Sequence, residues 1–186
     1  MARKLAGTAV DGFLCQNRRL FQGTRSVNDM EVIELDPTSK SVREIIDDID
    51  GLMNALYPQE SNQLLSIEAL QEKDVYFIGV IKNQDILGCG ALVYKNNDGV
   101  YGELKRIYVK PEYRGQGVSN LIMQELIAHA AKNQLPIIRL EAGIRQPEAL
   151  SLYKKLGFKE RQEYGSYQYD PLSIYMELPL CETSYR

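Results

Sequence analysis

The chain has 186 residues, 44% of them hydrophobic and 25% charged, which suits one folded domain with its own core and excludes a fibre or a disordered tail. A net charge of −3 argues against a nucleic-acid partner, whose phosphates call for a basic surface. A single histidine and three scattered cysteines (Cys15, Cys89, Cys181) offer no metal-ligand spacing and fit reduced thiols in a cytoplasmic protein, and no apolar run reaches the roughly 18 residues of a membrane span.

Residues 1–29 carry five basic side chains against two acidic ones, without strong periodicity. They read as a loose extension before a domain over residues 30–186, with a basic targeting segment as the other reading. Met30–Leu35, MEVIEL, alternates and predicts a strand. Ser41 and Glu44 have capping-box spacing. Val42, Ile45, Ile46, Ile49, Leu52, Met53 and Leu56 then recur at three and four, predicting an amphipathic helix that Pro58 stops. ESNQLLSIEAL predicts a polar loop and a second short helix. VYFIGVI and ILGCGALVY are strands joined by KNQD in a hairpin, and NNDG turns the chain into a further strand, VYGELKRIYV. A helix follows from Ser119 to about Lys132, and Pro136 separates it from the strand IIRLEAG. PEALSLYKKL is a helix closed by Gly157 at C′, and LSIYMEL is the last strand. This order predicts an α/β domain with a mixed, mostly antiparallel sheet flanked by helices.

The segment Arg114-Gly115-Gln116-Gly117-Val118-Ser119 places two glycines and a cation at a helix entrance. Helix N-termini leave N–H groups unpaired and carry partial positive charge, so such a loop can take a phosphate; a plain helix-entry turn is the other reading. A Walker loop needs Gly-Lys-Ser/Thr where Gly117-Val118-Ser119 stands, and a dinucleotide fingerprint needs a third glycine where Asn120 stands.

Together with the strand and Pro turn before it, ELKRIYVKPEYRGQGVS resembles the acetyl-CoA loop of the GNAT N-acetyltransferases, Gln/Arg-x-x-Gly-x-Gly/Ala, with Ser119 in the last small-residue slot. Downstream, PEALSLYKKLGF (Pro147–Phe158) is similar to that family's Ala-x-x-Leu-Tyr-x-Lys-x-Gly-Phe helix, with Gln146 where asparagine is frequent. The likeness covers nearly all of residues 30–180, and ALYPQESN, GCGAL, LEAGIRQPEA and YDPLS resemble the YsnE-like subgroup. The resemblance implies acetyl-CoA as co-substrate and no metal. The loop of Arg114, Gly115, Gln116, Gly117, Val118 and Ser119 would hold its pyrophosphate. The backbone of Ile107, Tyr108 and Val109 would hold its pantetheine, with an N–H near Ile107 polarising the acetyl carbonyl.

Acetylating an amine requires its deprotonation, which costs about 4.6 kcal/mol at pH 7 for a pKa near 10.4. Glu103 falls where part of the family carries a catalytic glutamate and is the expected base, acting through water; an ion pair with Lys105, Arg106 or Arg139 is the alternative. Tyr153 stands at the family's general-acid position, where a phenol would assist a thiolate leaving group; a buried aromatic is the alternative. In VYGELKRIYV the alternation falters, which a bulge would explain. Tyr57, Glu60 and Asn62 are candidates for the acceptor amine, with Arg106 or Arg139 for a carboxylate on it. Cys89 reads as a buried strand residue rather than a nucleophile, His129 as a surface helix residue, and YGSYQYD as a cover for the cleft or a loop with aromatic packing. The expected function is acetyl transfer to a small-molecule amine in a ternary complex, in the cytoplasm, without nucleic acid or membrane, and with a homodimer left open. A non-catalytic acetyl-CoA sensor and a protein-lysine acetyltransferase are the alternatives.

Overall fold

A computed structural model describes residues 29–62 and 64–180. The expected extension, apart from Asp29, lies outside them, as do Cys15 and Cys181. Seven strands form one sheet: β1 Glu31–Glu34, β2 Val75–Lys82, β3 Asp85–Lys95, β4 Tyr101–Val109, β5 Ile137–Gly143, β6 Lys159–Arg161 and β7 Ser173–Pro179. Their spatial order is β1-β2-β3-β4-β5-β7-β6. Every neighbouring pair is antiparallel except β4 and β5. Among the described residues three α-helices accompany the sheet: α1 Lys40–Leu56, α2 Val118–Lys132 and α3 Pro147–Lys155. This is the mixed α/β architecture expected from the sequence. No helix among the described residues is long and apolar enough to cross a membrane.

The apolar stripe of α1 closes one face of the sheet. Val42, Ile45, Ile46 and Ile49 pack there with Phe77, Cys89 and Ala91. The alternate residues Ile78 and Val80 point the other way, into a cluster with Ile122, Met123 and Leu126 of α2, as the two-residue period of a strand requires. Between β2 and β3, Asn83 and Gln84 both adopt left-handed φ, +51° and +72°, the geometry of a two-residue hairpin turn.

Three local expectations are corrected. The capping box does not form: α1 begins at Lys40 with Ser39 at its N-cap, so Ser41 already lies inside the first turn. The preceding turn is closed instead by Asp36, whose carboxylate accepts from the Thr38 amide and hydroxyl at 2.8 and 2.7 Å. The second short helix is replaced by two 3₁₀ turns, Gln59–Ser61 and Ala69–Gln71. There the Leu65 carbonyl accepts from Arg106 rather than from its own segment. The strand β6 was not anticipated, because three residues, two of them exposed charges, show no alternation.

Two irregularities in β4 position the site. Its register with β3 shifts between Cys89 and Ala91, opposite Arg106, which has φ +56°. This is the bulge that the broken alternation suggested. On the other side, β4 pairs with β5 only at Gly102–Ile138, Glu103–Arg139 and Leu104–Leu140. Beyond Leu104 the two strands part.

Candidate active site

A cleft of about 120 Å³ lies where β4 and β5 separate. Its strand walls are Leu104–Tyr108 and Leu140–Gly143. From α1 and the loop after it come Met53, Tyr57, Ser61 and Asn62; from the α3 side come Gln146 and Tyr153; Leu172 and Ser173 close the end before β7. Because β4 lacks a β5 partner past Leu104, the backbone of Ile107 and Tyr108 borders the cleft without a ladder on that side, and Val109 follows outside the lining. That edge leads into the glycine loop.

The loop itself is built on left-handed backbone. Gly115 has φ +73° and Gly117, the N-cap of α2, has φ +88°. A Cβ at either would meet nothing within 4 Å, so conformation rather than space demands glycine. Among the described residues the amides of Gly115, Gln116 and Gly117 donate to no backbone carbonyl, and those of Val118 and Ser119 begin a helix whose first turn has no internal acceptors for them. The exposed Arg114 bends back, its Nε donating to the Val109 carbonyl at 3.2 Å, and Gln116 donates to the Glu112 carbonyl at 3.1 Å. These amides and the helix dipole fit a diphosphate, and the unpaired β4 edge leading away from them fits an extended amide-bearing chain such as pantetheine.

The carboxylate in the cleft is Glu141 of β5. It accepts from the Ser173 hydroxyl at 2.6 Å. Burial pushes its carboxyl above the ordinary range, and the Ser173 bond and the Lys105 charge only partly offset that. Tyr153 lines the same cleft from α3, buried, with its ring centre 5.8 Å from that of Phe158. Burial first, then the Glu141 charge, pushes its phenol well up, so it keeps its proton throughout the physiological range.

Glu103 is placed elsewhere. It does not line the cleft; it is 4% exposed within a tyrosine cluster. Tyr164 and Tyr167 both donate to its Oε1, at 3.0 and 2.7 Å, and Lys105 Nζ lies 3.4 Å from the same oxygen. The YGSYQYD segment therefore packs Tyr164 and Tyr167 on Glu103 while Tyr169 is exposed, and only the following Leu172 and Ser173 reach the cleft.

Among the acceptor candidates, Tyr57 and Asn62 line the cleft. The Tyr57 hydroxyl accepts from the Arg145 amide at 2.9 Å and lies over Gly143, where a Cβ would come within 2.1 Å of it. Asn62 donates to Asn54 at 3.1 Å. Glu60 is exposed in its 3₁₀ turn and outside the lining. Arg106 borders the cleft, but its guanidinium donates to Asp50 and to the Leu65 carbonyl, tying α1 and the following loop to the bulge. Arg139 is away from the cleft, paired with Asp98 at 2.9 Å and 4.5 Å from the Tyr101 ring centre. Cys89 is fully buried, and burial pushes its thiol up to about 12, far from a nucleophile's range. His129 is half-buried rather than a plain surface residue, stacked on Tyr76 at 3.6 Å.

Sequence reasoning passed over Glu141 and Ser173, whereas the ion pair with Lys105 that it held as the alternative for Glu103 is present. A usable signal was present: in LEAG, Glu141 breaks an apolar strand just where the chain turns toward the helix carrying Tyr153.

The model of the acetyltransferase (GNAT) family matches residues 41–158. IAA acetyltransferase of Azospirillum brasilense is 35% identical over 144 residues, covering 77% of this chain and 94% of the relative. The N-acetyltransferase YsnE of Bacillus subtilis is 28% identical over 76% of this chain and 93% of its own length. A crystal structure of a candidate acyl-CoA N-acyltransferase from Klebsiella pneumoniae superposes with a TM-score of 0.68 at 29% identity, covering 82% of this chain and 98% of that one.

Proposed function

The chain belongs to the acetyltransferase (GNAT) family, and from that premise we propose that this acetyl-CoA-dependent N-acetyltransferase acetylates the amine of a small metabolite by direct transfer in a ternary complex. The observation that carries the reading is that Glu141 and Tyr153 face one cleft, which is continuous with the unpaired edge of β4 and so with the glycine loop.

Acetyl-CoA supplies an activated acyl group and a thiolate leaving group. The amides of Gln116, Gly117, Val118 and Ser119 hold the diphosphate, with Arg114 adding charge beside them. The β4 backbone at Ile107, Tyr108 and Val109 keeps the acyl end in the splay, where an N–H can polarise the carbonyl. Glu141 is the general base for the acceptor ammonium. Its raised carboxyl pKa narrows the gap that makes an ordinary glutamate a poor base. Tyr153, a phenol that stays protonated, donates to the departing sulfur. Tyr57, Ser61, Asn62 and Gln146 give the acceptor end hydroxyl and amide partners of the kind that orient a small polar molecule.

A thiol-release assay with acetyl-CoA over a library of small amines tests this. Release with one or more small amines, with intersecting initial-rate lines and no acetylated enzyme in the mass spectrum, is the expected outcome. Release only with protein or peptide acceptors would falsify the small-metabolite reading.

A further inference from the structure

Glu103 is too enclosed to meet an acceptor, yet its surroundings are not those of a simple ion pair. Glu103 and Lys105 stand two apart on β4 and so share a face of the sheet. Lys105 donates to the Tyr167 hydroxyl, which in turn donates to Glu103, and the ammonium lies 5.0 Å from the centre of the Tyr167 ring. Held by a carboxylate, a hydroxyl and an aromatic face, Lys105 lines the cleft together with Glu141. We propose that Glu103 is a positioning residue: it fixes and partly neutralises the Lys105 ammonium beside the cleft, and the balance of this pair shifts the pH at which Glu141, across the same cleft, ionises.

Arg106 of β4 lines the cleft too, but its guanidinium is engaged by Asp50 and the Leu65 carbonyl, and the other charges around Glu141 come from few places. From β4, Lys105 favours its ionisation and Glu103 opposes it; Asp170, in the loop before β7, also opposes it. From β7, Ser173 donates a hydrogen bond, and Tyr175 is a neutral phenol. Tyr153 of α3, Tyr57 after α1 and Tyr167 are likewise phenols that remain neutral at working pH. Arg145, in the turn after β5, directs its guanidinium to the Leu56 carbonyl. The Lys105–Glu103 pair therefore has an antisymmetric signature. Removing the anion makes Glu141 a stronger acid; removing the cation makes it a weaker one.

The inference rests on Glu141 as the base, and its test reads the electrostatics apart from the chemistry. In the full chain, the ¹³C signal of the Glu141 carboxyl, assigned by its loss in E141Q, is titrated in wild type, Glu103→Gln, Lys105→Met and the double variant. The midpoint is expected to fall in E103Q and rise in K105M, each by about half a pH unit or more, the size of a unit charge acting through a partly solvated site. The double variant returns toward wild type. An unmoved midpoint in E103Q, or shifts of the same sign in both single variants, overturns the proposal. Should E103Q fail to fold, K105M decides alone, and absence of the rise overturns it. Thiol release with the best amine from the library is then followed against pH, and the acid limb is expected to track each midpoint. Loss of turnover in E103Q at every pH would make Glu103 itself the base and overturn its positioning role. Full turnover in E141Q would instead remove the base assignment while leaving the measured coupling intact.

Discussion

Two residues lining the cleft, Glu141 and Tyr153, carry the proposed chemistry, and each answers to a conservative substitution. Glu141→Gln keeps the shape and an acceptor for Ser173 but cannot take a proton, so kcat/KM should fall by roughly 100-fold or more in the thiol-release assay. The same variant has a stability signature. Burial raises the Glu141 carboxyl above its unfolded value, so the folded chain holds that proton more tightly than the unfolded one. The protonated state favours folding at acid pH, and that advantage is lost as pH rises through the folded pKa. Thermal melts should therefore find E141Q more stable than wild type at about pH 8, with the gap closing below the ordinary glutamate pKa of about 4.3. Tyr153→Phe should lower turnover by about tenfold or more while acetyl-CoA affinity in calorimetry stays close to wild type. Unchanged turnover in that variant removes the phenol from the mechanism.

Among the elements, the glycine loop and the β4 bulge matter most. Gly117 is needed for its φ of +88°, not for room. Gly117→Ala should fold with about 1 kcal/mol of backbone strain, felt as roughly fivefold weaker binding of CoA by calorimetry if the loop relaxes to relieve it. The bulge depends on Arg106, whose buried guanidinium joins β4, Asp50 of α1 and the Leu65 carbonyl. Arg106→Ala leaves that half-buried carbonyl without its guanidinium partner and frees the loop that carries Ser61 and Asn62. Denaturation should show a loss of about 2–4 kcal/mol, and kinetics should show a raised acceptor KM with little change in CoA affinity. A KM unaltered in the folded variant would mean that the loop is held by other contacts.

On the scale of the whole molecule, one continuous sheet brings both halves of the site together: β4 delivers the loop, and β5 delivers Glu141 and, through α3, Tyr153. A ligand seated across that junction stabilises both halves at once. Acetyl-CoA at 100 times its Kd should add about 2.7 kcal/mol to folding, raising the melting temperature by roughly 5–10 °C. No shift at saturating concentration would argue against binding to the folded chain.

What the sequence by itself determined is local. The stripe of α1 follows from helical spacing, the hairpin and the loop from turn and glycine chemistry, and the close of α3 from Gly157, whose φ of +94° only glycine adopts without strain. The family, too, was legible, because its loop and its tyrosine helix are contiguous segments in a set order. Only the tertiary structure decided which glutamate lines the cleft. Alternation along a strand sorts side chains into two faces, but it says nothing about where neighbouring strands part or what covers each face. Glu103 sits where β4 and β5 are still paired and tyrosines close over it; Glu141 sits one step past their separation, where the cleft opens. That difference arises from contacts between strands distant in sequence, and no single segment contains it.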